Sequence, residues 1–166
     1  MEKYRNQVRE LASKRDGSPI FNSSLSHAAV LAEAMFEFGH KEVCIFSGKL
    51  NANVYGTPEI INRARLFLAD PITKIRVIVE NPDAIDKRDH PFVAAFDGRD
   101  DVEIRALEAD VAKQTPYHYV VMDSDSYRFE SDKTEPVAIA AFGDTKGGKN
   151  LQAVFDNLWN SSTKLV

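Results

Sequence analysis

Apolar and polar positions along the chain follow two periods, and the switches between them mark its elements. Residues 2–15 set Tyr4, Val8, Leu11 and Ala12 on one helical face with charges elsewhere, and Asp16-Gly17-Ser18-Pro19 ends that helix. A second helix over 24–38 carries the stripe Leu25, Ala28, Ala29, Ala32, Met35 and Phe36, with His27 beside it and Gly39 as its C-terminal cap. The short apolar run 43–47 is a buried strand. A loop over 48–56 leads to a third helix with Thr57 as N-cap, Pro58 at its first position and Glu59 in its first turn. Its core face is Ile60, Ile61, Ala64, Phe67 and Leu68, and Asp70-Pro71 stops it.

The second half shifts toward period two. A strand over 74–80 alternates and then turns apolar; a loop over 81–88 precedes a short helix opened by Asp89-His90-Pro91 and closed by Gly98. Residues 102–107 alternate cleanly as a third strand. After Pro116, the run Tyr117 to Met122, the cluster Asp123-Ser124-Asp125-Ser126 and the alternating Tyr127-Arg128-Phe129-Glu130 predict a hairpin. Residues 136–142 form a further strand, and the loop 143–150 leads into a last helix with Leu151, Val154, Phe155, Leu158 and Trp159 on one face. This order predicts an α/β fold: a mixed, mainly parallel sheet with helices on both faces, the hairpin supplying antiparallel pairing. Ligands of such sheets bind beyond the carboxyl ends of the parallel strands, here Ser47-Gly48, Glu80-Asn81 and Glu108.

Composition narrows this little. At 166 residues the chain is the size of one domain spanning 1–166, its first helix packing on that domain or on a partner. The formal net charge of −4 weighs against a generic nucleic-acid binder without excluding a local phosphate site. One cysteine, Cys44, in a predicted buried strand excludes an intrachain disulfide and fits a reducing, cytoplasmic setting. No signal peptide or apolar run of membrane-spanning length is present, so no membrane span is expected. The four histidines lack metal-binding spacing, G-x-S-x-G is missing, and no cofactor motif occurs.

His118 opening an apolar strand, an aspartate at its end and a last helix of the form Phe155-Asp156-Asn157-Leu158-Trp159-Asn160-Ser161-Ser162 resemble one half of the phospholipase D-like superfamily. That superfamily carries H-x-K-x4-D followed by G-S-x-N. The resemblance implies His118 as the nucleophile position, Asp125 by strict spacing or Asp123 in a strand shortened by two, and Val120 where the lysine belongs. Gly147-Gly148-Lys149-Asn150 is a distant echo of G-S-x-N; Lys146, Lys149 and Asn150 are the candidate phosphate-binding residues, at a helix N-terminus where an anion can sit.

The resemblance further implies pairing of halves, as a homodimer or a heteromer with a related half-domain, and a phosphodiester or nucleic-acid ligand. Three functions stay open. One is a catalytically degenerate half acting as a binding or assembly module; the second is a dimeric phosphodiesterase or nuclease with His118 as nucleophile. The third is an interaction subunit of a larger bacterial complex. Beside them stands a plain structural alternative, in which His118 bonds a neighbouring backbone group and residues 123–126 simply make an Asx-type turn.

Overall fold

The computed structural model describes residues 1–165. Its strands, β1 (Ile20–Asn22), β2 (Glu42–Ser47), β3 (Lys74–Val79), β4 (Val102–Leu107), β5 (His118–Met122), β6 (Ser126–Glu130), β7 (Ala138–Phe142) and β8 (Ser162–Lys164), form one sheet in the order β1-β7-β6-β5-β2-β3-β4-β8. The helices are α1 (Glu2–Lys14), α2 (Leu25–Phe38), α3 (Ala52–Tyr55), α4 (Pro58–Phe67), α5 (Pro91–Ala95), α6 (Ala109–Lys113) and α7 (Thr145–Asn160). The sheet is mixed, as the element order predicts. Its parallel share is smaller than expected: β2 pairs parallel with β3 and β3 with β4, while five ladders are antiparallel. The hairpin strands β5 and β6 account for three of the antiparallel ladders, and β1 and β8, three-residue edge strands too short to leave a periodic signal, add the other two.

Strand alternation sorts the core into two layers. Val43, Ile45, Ile75, Val77, Val79, Val120, Met122, Ala140 and Phe142 face α1 to α5. Cys44, Phe46, Ile78, Tyr119 and Val121 face α6 and α7, where Phe155 and Leu158 cover them. On the second face Arg76 pairs with Glu42 and Asp156 and lies over the rings of Phe155 and Trp159, with Arg105 on Trp159 as well. These contacts fix α7 by charge and by cation–π attraction together. Burial pushes the Cys44 thiol well up, which leaves it an inert core group.

The first helix lies on α2, joined by Arg5 to Glu33 at 3.2 Å and Arg9 to Glu37 at 2.6 Å. The predicted N-cap of α4 holds, Thr57 accepting the Ile60 N–H, and Ser24, expected as the first residue of the second helix, instead caps α2 by accepting the His27 N–H. Among the described residues no helix is long and apolar enough to cross a membrane.

The expected loop 143–150 is mostly helix. Asp144 caps α7 by accepting the Gly147 N–H, so the helix begins at Thr145. The glycines there serve packing: a Cβ on Gly148 would lie 2.4 Å from the Ser124 carbonyl oxygen and 2.5 Å from Asp125 Cα. Only a bare Cα lets the helix meet the hairpin tip this closely. Gly148→Ala should therefore destabilise the fold by roughly 1–3 kcal/mol through overpacking, outweighing the better helix propensity of alanine. Urea denaturation measures this, and a variant as stable as the parent would mean that α7 and the hairpin do not touch as described.

Candidate functional site

A cleft of about 680 Å³ opens where β2 and β3 end and β5 begins. Ser47, Gly48, Glu80 and Asn81, expected at the carboxyl ends of the parallel strands, line it; Glu108 does not. The N–H of Glu80 reaches the carbonyls of Ser47 and Gly48, and the Asn81 N–H donates to Gly48, so the two strand ends are tied into one rim. Strand β5 runs antiparallel to β2 and delivers His118 to this rim, with its ring edge-on to Phe46 at 5.2 Å.

His118 Nε2 is buried and stands 3.1 Å from Glu80 Oε1. The approach is off the N–H axis, so Nε2 faces the carboxylate without an aligned hydrogen-bond partner. Lys133, from the loop between β6 and β7, holds both Glu80 oxygens at 3.1 and 3.2 Å and also donates to the carbonyls of Ala112 and Thr115. Burial works to raise the Glu80 carboxyl, but His118 and then Lys133 outweigh it and hold the group below its ordinary value.

Strand alternation turns Val120 to the same face as His118, and across the ladder its partner is Arg128 of β6. Arg128 is 7% exposed and lines the cleft. Its Nε donates to Asn22 at 2.9 Å, one terminal nitrogen pairs with Glu130, and the other lies 3.4 Å from the Pro136 carbonyl.

The remaining sequence candidates lie elsewhere. Asp123 and Asp125 sit at the far end of β5. Asp123 accepts the N–H groups of His40, Lys41 and Glu42 at 2.8, 2.8 and 3.0 Å, and Arg15 reaches both aspartates. Asp123 and Ser124 have φ of 55° and 60°, the signature of a type I′ turn, which aspartate tolerates better than most residues. Lys146, Lys149 and Asn150 are exposed on the first turns of α7, and none of them lines the cleft. Lys149 borders a separate hollow at the opposite end of the sheet with Lys41, Lys74 and Asp125.

Glu80, Lys133 and Arg128 escaped the sequence reading as site residues. In the sequence Glu80 stands out only as a strand end. Arg128 did leave a trace, since period two sets Ser126, Arg128 and Glu130 on one face of a strand that has to enter the core.

A depressed carboxyl makes its stability contribution above the unfolded value and loses it as pH falls through the folded one. Glu80→Gln should thus be less stable than the parent at neutral pH, and the gap should close below about pH 4.5. Urea midpoints at pH 7 and pH 3.5 report the difference; a gap that is equal at both values would exclude Glu80 as the titrating group.

Solved structures place this fold. NucT from Helicobacter pylori matches with a TM-score of 0.66 at 11% identity over 90% of this chain and 100% of its own. Nuc from Salmonella typhimurium, a phospholipase D family member, matches at 0.60 and 11% over 90% and 99%. TrmBL2, an archaeal chromatin protein described with a novel mode of DNA binding, matches at 0.66 and 11%; the match covers 99% of this chain and 62% of TrmBL2. The fold is therefore phospholipase D-like. No curated protein sequence matches. The sequence of residues 24–166 matches the family model described as "Domain of unknown function (DUF7931)", and the chain belongs to that family.

Proposed function

We propose that this chain is a catalytically degenerate phospholipase D-like half whose cleft holds a single phosphoryl group as a binding or assembly module. The observation that carries the reading is the state of His118: Nε2 is sealed against Glu80, and the side chain two residues on, facing the same cleft, is Val120. A nucleophile has to reach phosphorus, and charge developing on the non-bridging oxygens needs donors fixed beside it. For one lost donor the barrier rises by about 2.7–4 kcal/mol, by analogy with other oxyanion sites.

Charge favours a small ligand. Lys49, Arg128 and Lys133 line the cleft against Glu80, Glu130 and Glu135, so no stripe of unopposed cations runs across it to follow a nucleic-acid backbone. Pairing with a second copy, or with a related half, belongs to the same proposal, as does a role as a subunit of a larger assembly in a reducing, cytoplasmic setting. TrmBL2 supports the use of a related architecture for binding. Lys146, Lys149 and Asn150 are outside the proposed ligand site, and Asp123 and Asp125 serve it only by holding β5 in place.

The second reading, a dimeric phosphodiesterase with His118 as nucleophile, rests on the Glu80 carboxylate beside the imidazole, an arrangement that can orient and charge a histidine. Hydrolysis of bis(p-nitrophenyl) phosphate and of DNA by the parent and by His118→Ala separates the two. The binding reading expects no turnover from either protein, together with phosphate binding that His118→Ala weakens. Metal-independent cleavage lost in His118→Ala would establish the enzyme instead. Native mass at micromolar concentration tests pairing, and a strict monomer contradicts it.

A further inference from the structure

We propose that Arg128 is the oxyanion-binding and specificity-determining residue of the cleft, presenting two guanidinium N–H groups to two oxygens of one phosphoryl group. The inference rests on the cleft reading above and names the group that recognises the ligand. Three observations support it.

The first is position. Arg128 lies directly across the β5/β6 ladder from Val120 and two residues from Glu130, the ladder partner of His118. Opposed side chains on one face of an antiparallel pair have Cβ atoms about 4.5–5.5 Å apart. A cation at 128 therefore reaches the same side of the cleft as a cation at 120, from the neighbouring strand.

The second is burial with spare capacity. Only 8% of the Arg128 side chain is exposed, and it stays charged because guanidinium does not deprotonate in proteins. Of its five N–H groups, Nε uses one on the neutral Asn22 amide, one goes to Glu130, and the bond to the Pro136 carbonyl is long at 3.4 Å. The fork is held in one orientation and still has donors to give, the arrangement in which arginine binds oxyanions at two points.

The third is the local field. Glu130 is the only carboxylate bonded to Arg128 among the described residues, and with its side chain 21% exposed it has access to water. The buried Tyr55 hydroxyl, in the same cleft wall, is raised by burial, lowered by Arg128 and raised again, less strongly, by Glu130. Arg128 therefore acts on that hydroxyl more strongly than Glu130 does. Lys133 has no such surplus, since Glu80 and two backbone carbonyls take up its ammonium.

The test is titration calorimetry with inorganic phosphate and dimethyl phosphate on the parent, Arg128→Gln, Arg128→Lys, His118→Ala and the double variant Val120→Lys/Arg128→Gln. Arg128→Gln should lose roughly tenfold or more in affinity, the size of a charge-assisted two-point contact. Arg128→Lys should recover part of it, and the double variant should recover most, because the cation is restored across the ladder. Thermal melts check that the variants fold. Should Arg128→Gln not fold, the parent decides: the Arg128 Nε–H resonance has to shift as phosphate is added, and an unmoved signal overturns the proposal. Phosphate binding that His118→Ala weakens and Arg128→Gln leaves intact overturns the role of Arg128 while keeping the cleft. A parent that binds neither probe overturns both.

Discussion

The three backbone N–H groups converging on the Asp123 carboxylate set the register on which the site depends. They come from His40, Lys41 and Glu42, the residues that lead into β2 and begin it, and the Asp123 N–H returns to the Glu42 carbonyl. One side chain therefore fixes where β2 begins against where β5 ends. From there Val43 meets Met122 and Phe46 meets Tyr119, and His118 falls beside the rim made by Gly48 and Glu80. A slip of one residue would turn His118 to the opposite face of the sheet and bury Tyr119 among α2 and α3. The aspartate in the His-to-Asp spacing thus works at the far end of the strand from the histidine and acts on it through the ladder.

Register explains the position of the cleft; charge pairing explains its temper. Glu80 is shared by His118 and Lys133, and Glu130 is matched by Arg128. Each carboxylate has a basic side chain beside it, which offsets much of the penalty of its burial, and for Glu80 the pairing holds the carboxyl below its ordinary value. Pairing also quiets reactivity. A general base or nucleophile works when its environment leaves it poised, and the Glu80 carboxylate, held by Lys133 and faced by His118, is already engaged.

Much of the fold was legible because it rests on local period and capping. Thr57-Pro58, the alternating strand 102–107 and the Ser/Asp tip of the hairpin stand where the sequence puts them. The mixed sheet followed from helices alternating with strands before a hairpin. What was missed depends on partners distant in sequence: β1 exists because Phe21 meets Ile139, and β8 because Thr163 meets Ala106. The start of α7 was lost to Gly147-Gly148, which argue against helix until the hairpin tip pressed on them is seen. The site divides the same way. His118 was visible from its place at a strand mouth, whereas Glu80 and Lys133 are 53 residues apart and meet only in three dimensions. Lys146 and Lys149 drew notice for being near glycines, a cue that helix packing supplied for another reason.

Among the cleft's charged and titratable groups, His118 alone keeps a buried polar atom without an aligned hydrogen bond. A buried nitrogen left in this state costs free energy that its neighbours do not, about 1–3 kcal/mol for a group wholly unsatisfied and less beside a carboxylate. Rotation of the imidazole toward a bound oxyanion would relieve that cost, and Glu80 would keep its lysine through the change. In the proposed binding mode, ligand binding and relief of the His118 environment are the same event. The proposed mode asks for no opening of the fold, because the buried imidazole nitrogen without an aligned partner and the arginine with donors to spare lie in the same cleft.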